Sequence, residues 1–241
     1  MAAGGMAESE ATRVIAIRHG ETAWNAERRI QGQLDVGLND AGRAQAERVG
    51  RAVAHEGIDA IYSSDLLRAL QTSQQVAAHA PSALPIGVDA GLRERHFGEF
   101  EGHAYADIDA RWPAGALRWR QRDPSYGPAG GETLAAFYDR CIAAAARLAA
   151  RHPGQTIALV AHGGVMDCLY RAALGLDLRA ARTWALGNAS INRLLYADDR
   201  FALVGWSDTQ HLDGLPADEG ADGYLHPAPA VQGATPAPAD R

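Results

Sequence analysis

The apolar positions of the chain fall into two kinds of pattern. Val14-Ile15-Ala16-Ile17 is an unbroken apolar run with three β-branched residues, and Thr156-Ile157-Ala158-Leu159-Val160-Ala161 is a second. Such short runs predict buried strands. Ile58 to Tyr62 predicts another strand, and Leu84 to Val88 a weaker one interrupted by Pro85. Ile191 to Tyr196 and Phe201 to Trp206, separated by Ala197-Asp198-Asp199-Arg200, predict a hairpin. Elsewhere the spacing is helical. Asn39 is placed to cap a helix running to about residue 55, with Gly57 just past its end. Ser64 is placed to cap a helix whose first turn holds Arg68. From Thr133, positions 134, 137, 138, 141, 142, 145, 148 and 149 form a stripe that Gly154 ends, and a further helix covers 164–174. Residues 103–122 read as partly helical, while 92–102 and 123–131 read as loops.

Two of the strands end alike. Arg18-His19-Gly20-Glu21-Thr22 follows the first apolar run, and His162-Gly163-Gly164 follows the one that starts at Thr156. In open α/β sheets, ligands bind beyond the carboxyl ends of parallel strands. Two strands ending in His-Gly can therefore bring two imidazoles to one sheet edge. Either histidine alone would be an ordinary structural residue, but the matched pair points to a functional site.

Composition narrows the chemistry. All 23 basic residues are arginine. Without lysine there is no Schiff-base chemistry and no Gly-Lys-Ser/Thr phosphate loop; guanidiniums that bind phosphate or carboxylate in bidentate fashion remain. The net charge of −6 argues against a nucleic-acid partner. Cys141 and Cys168 lack metal-ligand spacing, and the nine histidines include no H-E-x-x-H. No charged-then-apolar leader opens the chain, and no apolar run approaches the roughly 20 residues that span a bilayer. The expectation is a soluble, cytoplasmic protein with free thiols, no metal, no cofactor and no membrane partner. Residues 1–12 are small and polar and are expected to be disordered. Residues 213–241 are expected to form a disordered acidic tail, since 214–241 holds five of the eleven prolines and four acids against Arg241. A single domain over 13–212 is left.

The motifs, taken in order, resemble the histidine phosphatase superfamily, the phosphoglycerate mutase-like proteins. The resemblance rests on Arg18-His19-Gly20-Glu21-Thr22 with Asn25, Ser63-Ser64-Asp65-Leu66 with Arg68 and Thr72, Leu92-Arg93-Glu94 with Phe97-Gly98 and Glu101-Gly102, Gly130-Gly131-Glu132-Thr133, and His162-Gly163. It implies a three-layer αβα sandwich around a mostly parallel, about six-stranded sheet with one antiparallel strand. It also implies a metal-independent mechanism in which His19 accepts the phosphoryl group as a phosphohistidine. Arg18, Arg68 and His162 would form the phosphate pocket, with the Gly163 N–H as a further donor. Glu94 would be the general acid and base. Gly20 is expected to leave room for the incoming phosphate. Asn25 and Gln31 are expected at the substrate entrance. Among rival carboxylates, Glu21 reads as architecture, Glu99 as surface and Glu101 as a turn residue.

Phosphomonoester hydrolysis of small phosphorylated metabolites is the favoured activity, and phosphoglycerate mutase the alternative. Mutases of this family carry a longer, cation-rich insertion between the Glu and second His blocks. Here Glu94 and His162 are 68 positions apart, and Trp24 to Gln33 resembles the broad-specificity phosphatase branch. Arg118, Arg120 and Arg122 could bind a second acidic group or simply face water. A binding module that had lost its chemistry would show erosion of these motifs, and the five core positions are all present. The resemblance leaves the natural substrate and the oligomeric state open, a homodimer included.

Overall fold

A computed structural model describes residues 10–215. The apolar runs form the centre of one six-stranded sheet: β1 (Thr12–Arg18), β2 (Ala60–Ser63), β3 (Ile86–Val88), β4 (Thr156–Ala161), β5 (Ile191–Ala197) and β6 (Arg200–Asp208). The spatial order is β3-β2-β4-β1-β5-β6. β1 pairs in parallel with β4, and β2 in parallel with β3 and β4. β5 runs antiparallel to β1 and β6, so it is the one reversed strand of the expected sheet. The strand after Pro85 is three residues long and sits at the edge, where a missing N–H interrupts no central ladder.

Helices cover both faces. Val14, Ala16, Ile157, Leu159 and Ala161 pack against α6 (Leu134–Ala149) and α7 (Gly163–Leu174). Alternate residues Ile15, Ile17, Ala158 and Val160 pack against α2 (Asp40–Val53) and α3 (Leu67–His79). Within these strands residues 14–17 and 157–161 are apolar at every position because both faces are buried there. This is the three-layer sandwich. A third apolar cluster, around Phe97, Phe100 and Ile108, lies among the loops with α4 (Tyr105–Arg111) and α5 (Pro113–Arg120). α4 and α5 break at Trp112-Pro113, where proline occupies the first turn of α5.

Asn39 caps α2 through Gly42 N–H at 2.8 Å, as the sequence predicts, and Thr133 caps α6 through Ala136 N–H at 3.1 Å. Ser64 does not cap α3. That helix starts at Leu67, and the Asp35 carboxylate accepts the Leu67 N–H at 2.6 Å from a distant loop. The hairpin is tighter than expected: Asp198 and Asp199 both adopt positive φ, at 50° and 56°, in a two-residue turn between β5 and β6. The ordered body also starts before residue 13, since Ala11 and Thr12 are buried and Thr12 opens β1. Asp213 to Leu215 are described, whereas the rest of the two expected disordered ends, 1–9 and 216–241, lies outside the described residues.

Candidate active site

The carboxyl ends of β1 and β4 adjoin in the sheet, with Arg18 opposite Ala161. The next residues, His19 and His162, place their ring centroids 5.1 Å apart at an interplanar angle of 60°. Arg18, His19, Asn25, Gln31, Arg68, Glu94 and Gly163 border one cavity, joined by Arg28 and Tyr105. Residues far apart in the chain meet here because parallel strands deliver their ends to the same edge.

Both guanidiniums are aimed by backbone oxygens. Arg18 donates to the Leu186 carbonyl. Arg68 donates to the carbonyls of Gly32 at 2.7 Å and Leu34 at 3.0 Å, so the polar loop after α1 (Ala23–Ala26) fixes it. Thr72, one turn along α3, accepts the Gly20 N–H at 3.1 Å and ties this helix to the end of β1. Gly20 is required by the fold itself. A Cβ there would lie 2.4 Å from the Gly42 carbonyl oxygen, so the start of α2 forbids a side chain.

The His19 ring shows its tautomer. Its Nδ1 lies 2.7 Å from the Gly20 carbonyl oxygen, which can only accept, so Nδ1 carries the hydrogen. Burial, and then the charges of Arg68 and Arg18, hold this imidazole well below its ordinary value of 6.5 despite that hydrogen bond. The neutral ring therefore keeps its lone pair on Nε2. His162 is lowered as well, by burial first and then by Arg68, His19 and Arg18. Its Nε2 is 2.8 Å from Ser64 Oγ. Ser64 is thus a partner of His162, a role that its position before a helix concealed.

A pH dependence follows. The folded chain keeps both rings neutral, while the unfolded chain takes up protons below about pH 6.5. Their contribution to stability is full above that value and is lost as pH falls, at up to about 1.4 kcal/mol per pH unit for each ring. Tm is expected to drop between pH 7 and pH 5, with a shallower slope in His19→Asn. A Tm equally flat in both proteins would contradict the neutral pair.

Glu94 sits on the other wall. Its Oε1 accepts Arg95 N–H at 2.8 Å, and Oε2 accepts Gly164 N–H at 3.0 Å in the first turn of α7. The Gly130-Gly131-Glu132-Thr133 block serves this wall. Glu132 pairs with Arg140 at 2.7 Å, and Arg140 donates to the carbonyls of Arg93 and Glu94. The rival carboxylates are employed elsewhere. Glu21 accepts from Asn39 Nδ2, Glu99 from Ala129 N–H, and Glu101 from the N–H groups of Gln33 and Phe97. Asn25 and Gln31 border the cavity and share the Thr22 hydroxyl, each at 3.0 Å.

Residues 175–190, which carry no periodicity, shape the site. Beyond Leu186, Asn188 Nδ2 and Ala189 N–H both donate to the His19 carbonyl, at 3.2 and 3.1 Å. The segment is anchored by Arg171, buried on α7. Its guanidinium binds Asp167 at 3.0 Å and the carbonyls of Asp177 and Ala180, and lies 4.8 Å from the centre of the Trp184 ring. Tyr105 is likewise unmarked by any motif; burial pushes its hydroxyl up to about 12. The three arginines at and just past the end of α5 are engaged with acids: Arg118 with Asp123, Arg120 with Asp109 and Arg122 with Asp167. Among the described residues no cluster of three or more His, Cys, Asp or Glu side chains could hold a metal ion, and no helix is long and apolar enough to cross a membrane.

Known proteins resemble the chain in sequence and fold. Residues 14–209 match the model of the histidine phosphatase superfamily, branch 1. The chain is 41% identical over 204 residues to phosphoglycerate mutase-like protein 4 of Arabidopsis thaliana, covering 83% of this chain and 86% of that one. It is 34% identical over 215 residues to a metal-independent phosphoserine phosphatase of the same plant, covering 86% of each. Among solved structures, a mycobacterial glucosyl-3-phosphoglycerate phosphatase in complex with VO3 superposes with a TM-score of 0.73 at 34% identity, over 82% of this chain and 99% of that one. The paired His-Gly strand ends, the fold around them and these likenesses lead to one assignment: the chain is an enzyme of the histidine phosphatase superfamily.

Proposed function

We propose that this protein hydrolyses phosphomonoesters of small metabolites through a phosphohistidine on His19. The observation that carries the reading is the His19 Nδ1 bond to the Gly20 carbonyl, in a cavity that Arg18 and Arg68 also border, with the buried His162 ring 5.1 Å away between centres. A buried neutral imidazole with its lone pair on Nε2 can attack phosphorus without first losing a proton. The P–N bond forms as the P–O bond to the alcohol breaks, and a proton passes from Glu94 to the departing oxygen. Arg18 and Arg68 are held in place by backbone carbonyls, so they need no reorganisation as charge spreads over the equatorial phosphoryl oxygens. Water then attacks phosphorus, Glu94 takes its proton, and inorganic phosphate leaves with Nε2 restored. The two buried free thiols, Cys141 and Cys168, suit a reducing cytoplasm.

The mutase alternative would use the same phosphohistidine but return its phosphoryl group to an alcohol. The acid-paired Arg118, Arg120 and Arg122 favour hydrolysis, because a second acidic group would have to compete with Asp123, Asp109 and Asp167 for them. The test is ³¹P NMR of purified protein with a panel of phosphorylated metabolites, including 3-phosphoglycerate primed with 2,3-bisphosphoglycerate. Inorganic phosphate is expected from at least one ester, with no build-up of 2-phosphoglycerate. Rapid interconversion of the two phosphoglycerates with little free phosphate would make the protein a mutase.

A further inference from the structure

The two peptides that follow His19 are each held at both ends. In the first, the His19 carbonyl accepts from Ala189 N–H and Asn188 Nδ2, and the Gly20 N–H donates to Thr72 Oγ1. In the second, the Gly20 carbonyl accepts from His19 Nδ1, and the Glu21 N–H donates to Gln45 Oε1 at 2.8 Å. Gln45 is buried on α2, outside the lining of the phosphate cavity. Its amide has one possible orientation here, because an N–H must meet the oxygen of that side chain and not its NH2 group.

A trans peptide is planar, and its N–H and C=O point in opposite directions. An acceptor fixed behind the Glu21 N–H therefore aims the Gly20 carbonyl at the His19 ring. It also strengthens that carbonyl as an acceptor, since hydrogen bonds in a chain polarise one another. The acceptor comes from α2 because that helix packs directly against the peptide. A Cβ on Gly42 would lie 2.7 Å from the Glu21 nitrogen and 2.0 Å from the Glu21 carbonyl oxygen. Gln45 follows one turn later on the same buried face, and helical side chains lean back toward the N-terminus. We infer that Gln45 is a positioning residue for phosphoryl transfer, which acts through the 20–21 peptide to keep the His19 hydrogen on Nδ1 and the lone pair on Nε2. The inference rests on the reading of His19 as the nucleophile and deepens it, because it assigns control of the tautomer to a side chain outside the cavity. Without a directed carbonyl the ring hydrogen can move to Nε2, and the attacking nitrogen then has no lone pair to offer.

The experiment compares the wild type with Gln45→Met, which removes the acceptor at similar size, and Gln45→Glu, whose carboxyl oxygen accepts the same N–H in either protonation state. Imidazole ¹⁵N shifts, assigned to His19 by the signals lost in His19→Asn, show which ring nitrogen carries the hydrogen. Rapid quench with ³²P-labelled nitrophenyl phosphate gives the maximal rate of phosphohistidine formation and the half-saturating ester concentration. Gln45→Met is expected to shift hydrogen onto Nε2 and to slow formation by about tenfold to 10²-fold, the scale on which a misplaced reacting group acts. Half-saturation should stay unchanged, because Arg18 and Arg68 remain in place. Gln45→Glu should keep the wild-type tautomer and nearly the wild-type rate. Should methionine prevent folding, Gln45→Ala takes its place, since the space it opens admits water to the Glu21 N–H; the same shift and slowing are expected. Three results overturn the inference: wild-type His19 with its hydrogen on Nε2, a folded Met or Ala variant with wild-type tautomer and rate, or Gln45→Glu as slow as the variant without an acceptor. Absence of phosphohistidine in the wild type, with the tautomer shift still present, overturns the nucleophile reading and leaves control of the tautomer standing.

Discussion

His19→Ala is expected to reduce phosphate release by about 10⁴-fold or more, the scale on which loss of a covalent nucleophile acts. No neighbouring ring can take its place. His162 lies 5.1 Å away between centres, but its Nε2 is engaged with Ser64 Oγ. Rapid quench with ³²P-labelled substrate should trap an acid-labile, base-stable adduct in the wild type and none in His19→Ala. A normal burst of labelled protein in the variant, or label that survives acid, would remove His19 from the nucleophile's role. His162→Ala should retain a small residual rate and still form the adduct, because the proposed mechanism uses His162 to support the phosphoryl group and not to attack it.

Glu94→Gln should separate substrates by their leaving groups. The amide preserves shape and removes the transferable proton, so esters of alkyl alcohols should slow by about 10²–10⁴. Nitrophenolate departs with little need of a proton, and phosphoenzyme formation from nitrophenyl phosphate should fall far less. Equal losses on both in single-turnover assays would transfer the acid role to another group. Gly164→Ala approaches the same carboxyl from behind. A Cβ at 164 would lie 2.1 Å from Glu94 Oε1 and 2.9 Å from the Phe137 ring, so the carboxyl must move. Alanine is the better helix former, and a folded variant with the same leaving-group dependence would show that the position of Glu94, in addition to its charge, sets the rate.

The residues proposed to carry the chemistry are legible in the amino-acid sequence. Apolar runs buried on both faces have a distinctive composition, and their His-Gly endings stand out against it, which is how His19 and His162 can be paired across the chain. Arg68 and Glu94 are legible through their motif blocks, and the N-cap Asn39 through local hydrogen-bonding chemistry that needs no tertiary partner. What escapes the sequence is whatever a distant segment supplies. Ser64 has the position of a cap but its hydroxyl pairs with the His162 ring, while Asp35 reaches the helix start from another loop. Gly20 is dictated by the backbone of α2, which no local pattern around residue 20 reveals. The segment 175–190 has no period to read, since its function is carried by backbone carbonyls and amides that meet Arg18 and His19. Sequence by itself singled out the side chains proposed to do the chemistry and the elements that carry them. The tertiary structure alone decided how each is aimed, because backbone oxygens and N–H groups are alike from residue to residue and acquire a role only through where the fold puts them.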